Sequence, residues 1–231
     1  MRKLMIALVL LMATPIYAED VVRRITGVGQ GSVETAPDMA TVSMGVTTEA
    51  KTANSAMSRN TDSLEGVLLQ LAEAGIEMRD VQTNSLSLSP RWDNRPTSSS
   101  GKPKIVGFVA SNMLSVRVRD LDKLGMVLDA VVQNGANTFH GLHFGLQEPQ
   151  PAQDAARQDA VADARRKAQL YATAAGVKLG DVLTISEAAS RGASPVMMTM
   201  EADMMQSRAV PIAQGEVTVG ATITIVFAIA D

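Results

Sequence analysis

The sequence predicts an α+β fold in which three helices pack on a mixed, mainly antiparallel sheet. Three observations carry this reading. Three stretches with helical apolar spacing each end at a glycine, and the segments between them switch to a period of two. Aromatic residues make up only 3 % of the chain, so the core is aliphatic, built from Val, Leu, Ile, Met and Ala.

The first helix is predicted from about Thr52 to Ala74. Ala53, Met57, Leu64, Val67, Leu68 and Leu71 fall at helical spacing, and Gly75 follows as a stop. The second starts at Asp120, a suitable N-cap, carries Leu121, Leu124, Leu128, Val131 and Val132, and stops at Gly135. The third opens after Pro151 and ends at Gly176. Its alanines are dense (Ala152, Ala155, Ala156, Ala160, Ala164, Ala168 and Ala172), and small side chains let a helix lie close to a sheet or to another helix.

Strands are predicted where apolar residues alternate. Ala40, Val42, Met44 and Val46 alternate with Thr41, Ser43, Gly45 and Thr47, and a second run extends from Val106 to Val118. The clearest strand is the last, with Val217, Val219, Ala221, Ile223, Ile225, Phe227 and Ile229 on one face. Its length suits a strand that crosses a whole sheet and can serve as an edge. Weaker strands are predicted near Val21–Gly31, Val81–Ser89, Phe139–Leu146 and Asp181–Ser186. From Ala40 to Leu146 the elements follow the ferredoxin-like βαββαβ order. The first strand, the alanine-rich helix and the last two strands then extend that sheet or form a second layer against it. Arg91 to Lys104, which holds Trp92, is predicted as a long hairpin loop, and Ala189 to Gly215 as irregular.

Residues 1–18 have the pattern of a secretory signal peptide: Arg2 and Lys3, an apolar run from Leu4 to Met12, and a cut after Ala18. That run is too short for a permanent membrane helix. Cleavage leaves 213 of 231 residues as one domain, 19–231, and removes two cations, so the formal net charge moves from −3 to −5. A mildly acidic protein has no general attraction for nucleic acid. The absence of cysteine excludes disulfides, thiol catalysis and thiolate metal sites.

Candidate chemistry is sparse. Gly27, Gly29 and Gly31 superficially suggest a phosphate cradle, but no helix follows them, so a bent or bulged strand is the better reading. His140 and His143, three apart on a strand, face opposite sides and share a metal only across a bulge. Asp154, Asp159 and Asp163, interleaved with Arg157, Arg165, Arg166 and Lys167, read as a solvated charged helix face rather than a cation site. Met197, Met198, Met200, Met204 and Met205 fall within nine residues. Thioethers are soft ligands for Cu(I) and a reversible oxidant sink, although a packing role is the favoured reading.

The order of the punctuation residues resembles the SIMPL-domain family. The similar elements are Gly27-Val28-Gly29, Pro37-Asp38-Met39-Ala40, Gly75-Ile76, Asp80-Val81-Gln82-Thr83, Leu88-Ser89-Pro90 and Gly107-Phe108-Val109-Ala110. They continue through Gly135-Ala136-Asn137, Gly141 with Phe144, Asp163-Ala164 with Lys167-Ala168, Gly176, Leu179-Gly180, and Pro211-Ile212 with Gly215-Glu216-Val217. The resemblance implies a periplasmic or envelope-associated α/β protein. The family includes a periplasmic immunogenic protein that assembles as a ring or channel-like homo-oligomer, and an oxidative-stress defence protein. It brings no agreed catalytic residue or cofactor. One departure is the loop around Trp92, Pro- and Ser-rich here and often aromatic in relatives.

These readings predict an exported, non-enzymatic envelope protein that acts through homo-oligomeric assembly, with a link to oxidative or envelope stress. Its expected partners are copies of itself and the outer membrane or envelope, without nucleic acid. No catalytic, cofactor-binding or metal residue is assigned. Two alternatives belong to other classes: a periplasmic Cu(I)-handling or oxidant-scavenging protein using the methionines, and an enzyme whose Asp and Arg residues meet only across subunits.

Overall fold

A computed structural model of the chain describes residues 23–93, 103–188, 194–196 and 212–230. The signal-peptide segment and the methionine cluster lie outside these. The elements run β1 (Arg24–Thr35), β2 (Met39–Ala50), α1 (Ala53–Glu73), β3 (Val81–Asp93), β4 (Lys104–Val118), α2 (Leu124–Gln133), β5 (Thr138–Gly145), α3 (Gln150–Ala174), β6 (Lys178–Glu187), β7 (Ser194–Val196) and β8 (Glu216–Ala230). Short 3-10 turns precede β3 and α2.

The fold is α+β with three helices, but the strands form two four-stranded sheets instead of one. The first sheet has the order β1-β8-β6, with β7 also on β8, and the second has the order β3-β4-β2-β5. Every pairing is antiparallel. The pieces flanking the central stretch therefore build a second layer of their own around α3.

Each sheet has its own core. Val42, Met44 and Val46 of β2 and Leu114, Val116 and Val118 of β4 meet Val67 and Leu71 of α1 and Val127 and Val131 of α2. In the other unit, Ala156, Ala160, Ala164 and Ala168 of α3 meet Ala221, Ile223, Ile225 and Phe227 of β8. The period-two and helical patterns thus predict which side chains are buried in β2, β4, β8 and the three helices, because each of these has one dry face.

Local chemistry sets the ends. Thr52 caps α1, its hydroxyl accepting the Ser55 N–H at 3.2 Å. At the other end Gly75 adopts φ 84°, and the Ile76 and Gly75 amides return to the carbonyls of Leu71 and Ala72. Gly176 (φ 71°) closes α3 in the same way, as helix-stopping glycines do.

Three expectations are corrected. Strand β8 is not an edge: β1 flanks one side, and β6 and β7 flank the other. The predicted hairpin loop is shorter, because Trp92 and Asp93 still pair with Ile105 and Lys104. The segment expected to be irregular contains β7, a three-residue strand too short to show a period.

Candidate functional site

Glycine and alanine fit together along α3. Gly27, Gly29 and Gly31 share the face of β1 that meets the helix, and Ala156, Ala160, Ala164, Ala168 and Ala172 are wholly buried at every fourth helical position. A β carbon on Gly29 would overlap the carbonyl oxygen of Ala160; on Gly31 it would overlap that of Ala156, and on Gly27 that of Ala164. The glycines are thus neither a phosphate cradle nor a bulge. They let two backbones touch.

That approach brings the charged face of α3 over the free edge of β1. Asp163 Oδ2 accepts the Gln30 N–H at 3.0 Å, and Lys167 Nζ donates to the Val28 carbonyl at 3.0 Å. The two side chains pair with each other at 2.7 Å, and Arg166 adds a third contact. The Lys167 hydrogen bond, followed by those of Gln30 and Arg166, holds the Asp163 carboxyl far below the usual carboxylate range. Two backbone groups at the middle of β1 that would otherwise template another strand are occupied, which blunts this edge.

Among the described residues the outer sides of β3, β5 and β6 have no strand partner, and β3 and β6 expose the more large apolar side chains. On β3, every residue from Gln82 to Trp92 is exposed, Leu86 by 58 % and Leu88 by 43 %. On β6, Val182, Leu183 and Ile185 are exposed by 48 %, 47 % and 59 %. Unpaired backbone combined with apolar side chains favours association with a further strand.

Among the described residues the most buried charge is Asp80, at the entry to β3. Arg119 grips it with two hydrogen bonds, at 2.7 and 2.8 Å, and Arg117 adds a contact at 3.2 Å. The Arg119 hydrogen bond, helped by the charges of Arg119, Arg117 and Arg79, outweighs burial and lowers the Asp80 pKa. Arg119 also reaches Gln147, whose amide groups bind Asp38. This network joins two crossings of the chain between the sheets, β1 to β2 and β5 to α3. It is a fastening with its polar groups matched, and sequence reading missed it. The available signal was the Arg-x-Arg at the end of β4 and the acid just before β3.

An open groove of about 610 Å³ lies where β2 turns into α1, lined by Glu49, Lys51, Thr52, Ser55, Arg59 and Arg91. Glu49 pairs with Arg91 at 2.6 Å, and no nucleophile–base pair is formed among these lining residues.

The structure spreads the sequence candidates apart. The pairing of β5 with β2 skips His140, between Phe139 and Gly141, and is regular from Gly141 to His143; among the described residues no three His, Asp or Glu side chains gather as a metal site. Asp154 pairs with Arg157, which also binds Glu187 of β6, while Asp163 serves the β1 edge. Among the described residues, no helix is long and apolar enough to cross a membrane.

Comparison with known proteins adds the lineage. The chain is 36 % identical over 215 residues to a 26 kDa periplasmic immunogenic protein of Brucella melitensis, covering 89 % of this chain and 84 % of that one. Its counterpart in Brucella abortus matches equally. An uncharacterized protein YggE of Escherichia coli K12 is 30 % identical over 176 residues, covering 76 % and 70 %. Residues 25–227, from the first strand into the last, match the family described as a protein of unknown function (DUF541). The chain belongs to the SIMPL family.

Proposed function

We propose that this chain is a periplasmic, non-enzymatic envelope protein that works by assembling with copies of itself through open strand edges. The carrying observation is the contrast between edges. Asp163 and Lys167 occupy backbone groups at the middle of β1, whereas among the described residues the outer sides of β3 and β6 have no strand partner beside Leu86, Leu88, Val182, Leu183 and Ile185. The signal-like start and a relative named as periplasmic support the location. A link to oxidative or envelope stress and an association with the outer membrane belong to the same proposal.

The test is sedimentation velocity of the chain lacking residues 1–18 over a hundredfold range of concentration, roughly the span needed to expose mass action. A discrete species larger than one chain is expected. A single-chain species throughout would refute the proposal.

The methionine cluster favours a second reading. Five thioethers within nine residues offer soft ligands for Cu(I) and an oxidant sink. Replacing Met197, Met198, Met200, Met204 and Met205 by leucine should abolish Cu(I) binding and peroxide protection on this reading. Unchanged behaviour eliminates it.

A further inference from the structure

We infer that the open edge of β3 pairs antiparallel with the same edge of a second copy, about a two-fold axis through Ser87; this rests on the assembly reading above. Three features of β3 lead there. Among the described residues its outer side is unpaired, β4 being its one neighbour in the sheet. Its register against β4 is unbroken from Ser85 to Arg91, between shifts at Thr83/Ser85 and at Arg91/Trp92, so this stretch is a regular template. And the run Ser85-Leu86-Ser87-Leu88-Ser89 reads identically in both directions.

The last feature chooses the partner. An antiparallel pair centred on Ser87 sets Leu86 of each copy opposite Leu88 of the other, and Ser85 opposite Ser89. No mismatched pair arises between Ser85 and Ser89. Leu86 and Leu88 pair with Asn112 and Ala110 of β4, and Ala110 is buried beneath α1, so both leucines lie on the helix-bearing face. Ser85, Ser87 and Ser89 lie on the opposite face. Pairing two copies therefore gathers four exposed leucines into one cross-strand cluster and aligns serines behind it. Such a contact is isologous and closes on itself, joining two four-stranded sheets into one eight-stranded sheet.

The β6 edge fits this geometry less well. Val182-Leu183-Thr184-Ile185-Ser186 is not symmetric, and register shifts at Leu179/Val182 and Val182/Thr184 kink its pairing with β8.

Because the chain has no cysteine, single thiols report the register cleanly. Directly opposed residues meet the Cα separation a disulfide requires, and residues offset by two do not. Under mild oxidation, Ser87→Cys should link as a covalent dimer. Leu86→Cys and Leu88→Cys should link when mixed and not when alone. Thr184→Cys on β6 serves as control. Failure of Ser87→Cys to link while sedimentation shows assembly, or equal linking through Thr184→Cys, overturns the β3 pairing and leaves the assembly reading intact. A single-chain species throughout overturns both. A second variant, Leu86→Lys with Leu88→Lys, changes only exposed positions. It should reduce the assembled mass roughly twofold, the loss of one isologous contact, with an unchanged circular dichroism spectrum. An unchanged mass also overturns the pairing.

Discussion

The Asp163 carboxylate of α3 accepts a hydrogen bond from the backbone N–H of Gln30 in β1, at 3.0 Å. One helix thus covers a sheet face with alanines and blunts that sheet's edge with charge. The contact is possible only because Gly27, Gly29 and Gly31 let the helix come so close.

Replacing Asp163 and Lys167 together by alanine should lower the melting temperature only modestly, since a half-buried ion pair at the surface and its hydrogen bonds each contribute little. The freed Gln30 N–H and Val28 carbonyl should instead recruit strands. Light scattering on warming should show aggregation at lower temperature than for the parent chain. Identical aggregation curves would remove the blunting role.

Gly29→Ala should destabilise the fold by about 3 kcal/mol, at the upper end for overpacking, because the atom it would strike is backbone. Urea denaturation measures this. Gly75→Ala lacks such a neighbour; its strain comes only from φ 84°, and it should cost about 1 kcal/mol. The contrast separates close approach from turn geometry.

How far the sequence alone reaches can be judged from these same elements. The helical stops at Gly75, Gly135 and Gly176 and the dry faces of β2 and β8 were legible because burial imposes a period. The glycines of β1 and the alanines of α3 were each visible, yet their contact was not, since nothing in either run names its partner. Strand β8 looked like a possible edge because its length carries no information about neighbours. The Asp80–Arg119 clamp spans 39 residues and follows no local pattern. The open edges depend on strand order, which only the folded chain fixes.

Asp80→Asn should destabilise the protein by about 2 kcal/mol at neutral pH, the scale of a lost charge-assisted hydrogen bond. The pH dependence has a definite sign. The Asp80 and Asp163 pKa values are lowered in the folded chain, so the unfolded chain takes up protons first as the medium acidifies. Their contribution is full above the unfolded carboxylate value of about 3.9 and is lost as pH falls through the folded values. Thermal melts from neutral pH downward should show Tm falling below about pH 4, and less steeply for Asp80→Asn. A slope identical in the variant would show that Asp80 titrates normally.

The most direct single measurement is amide hydrogen exchange of the Ser85–Ser89 segment, compared between dilute and concentrated protein. Assembly through the β3 edge predicts that these amides exchange faster when dilute and gain protection with concentration, while the Val28–Gln30 segment, already bonded to α3, does not change. Equal exchange in Ser85–Ser89 at both concentrations, with larger species present in the concentrated sample, would contradict it.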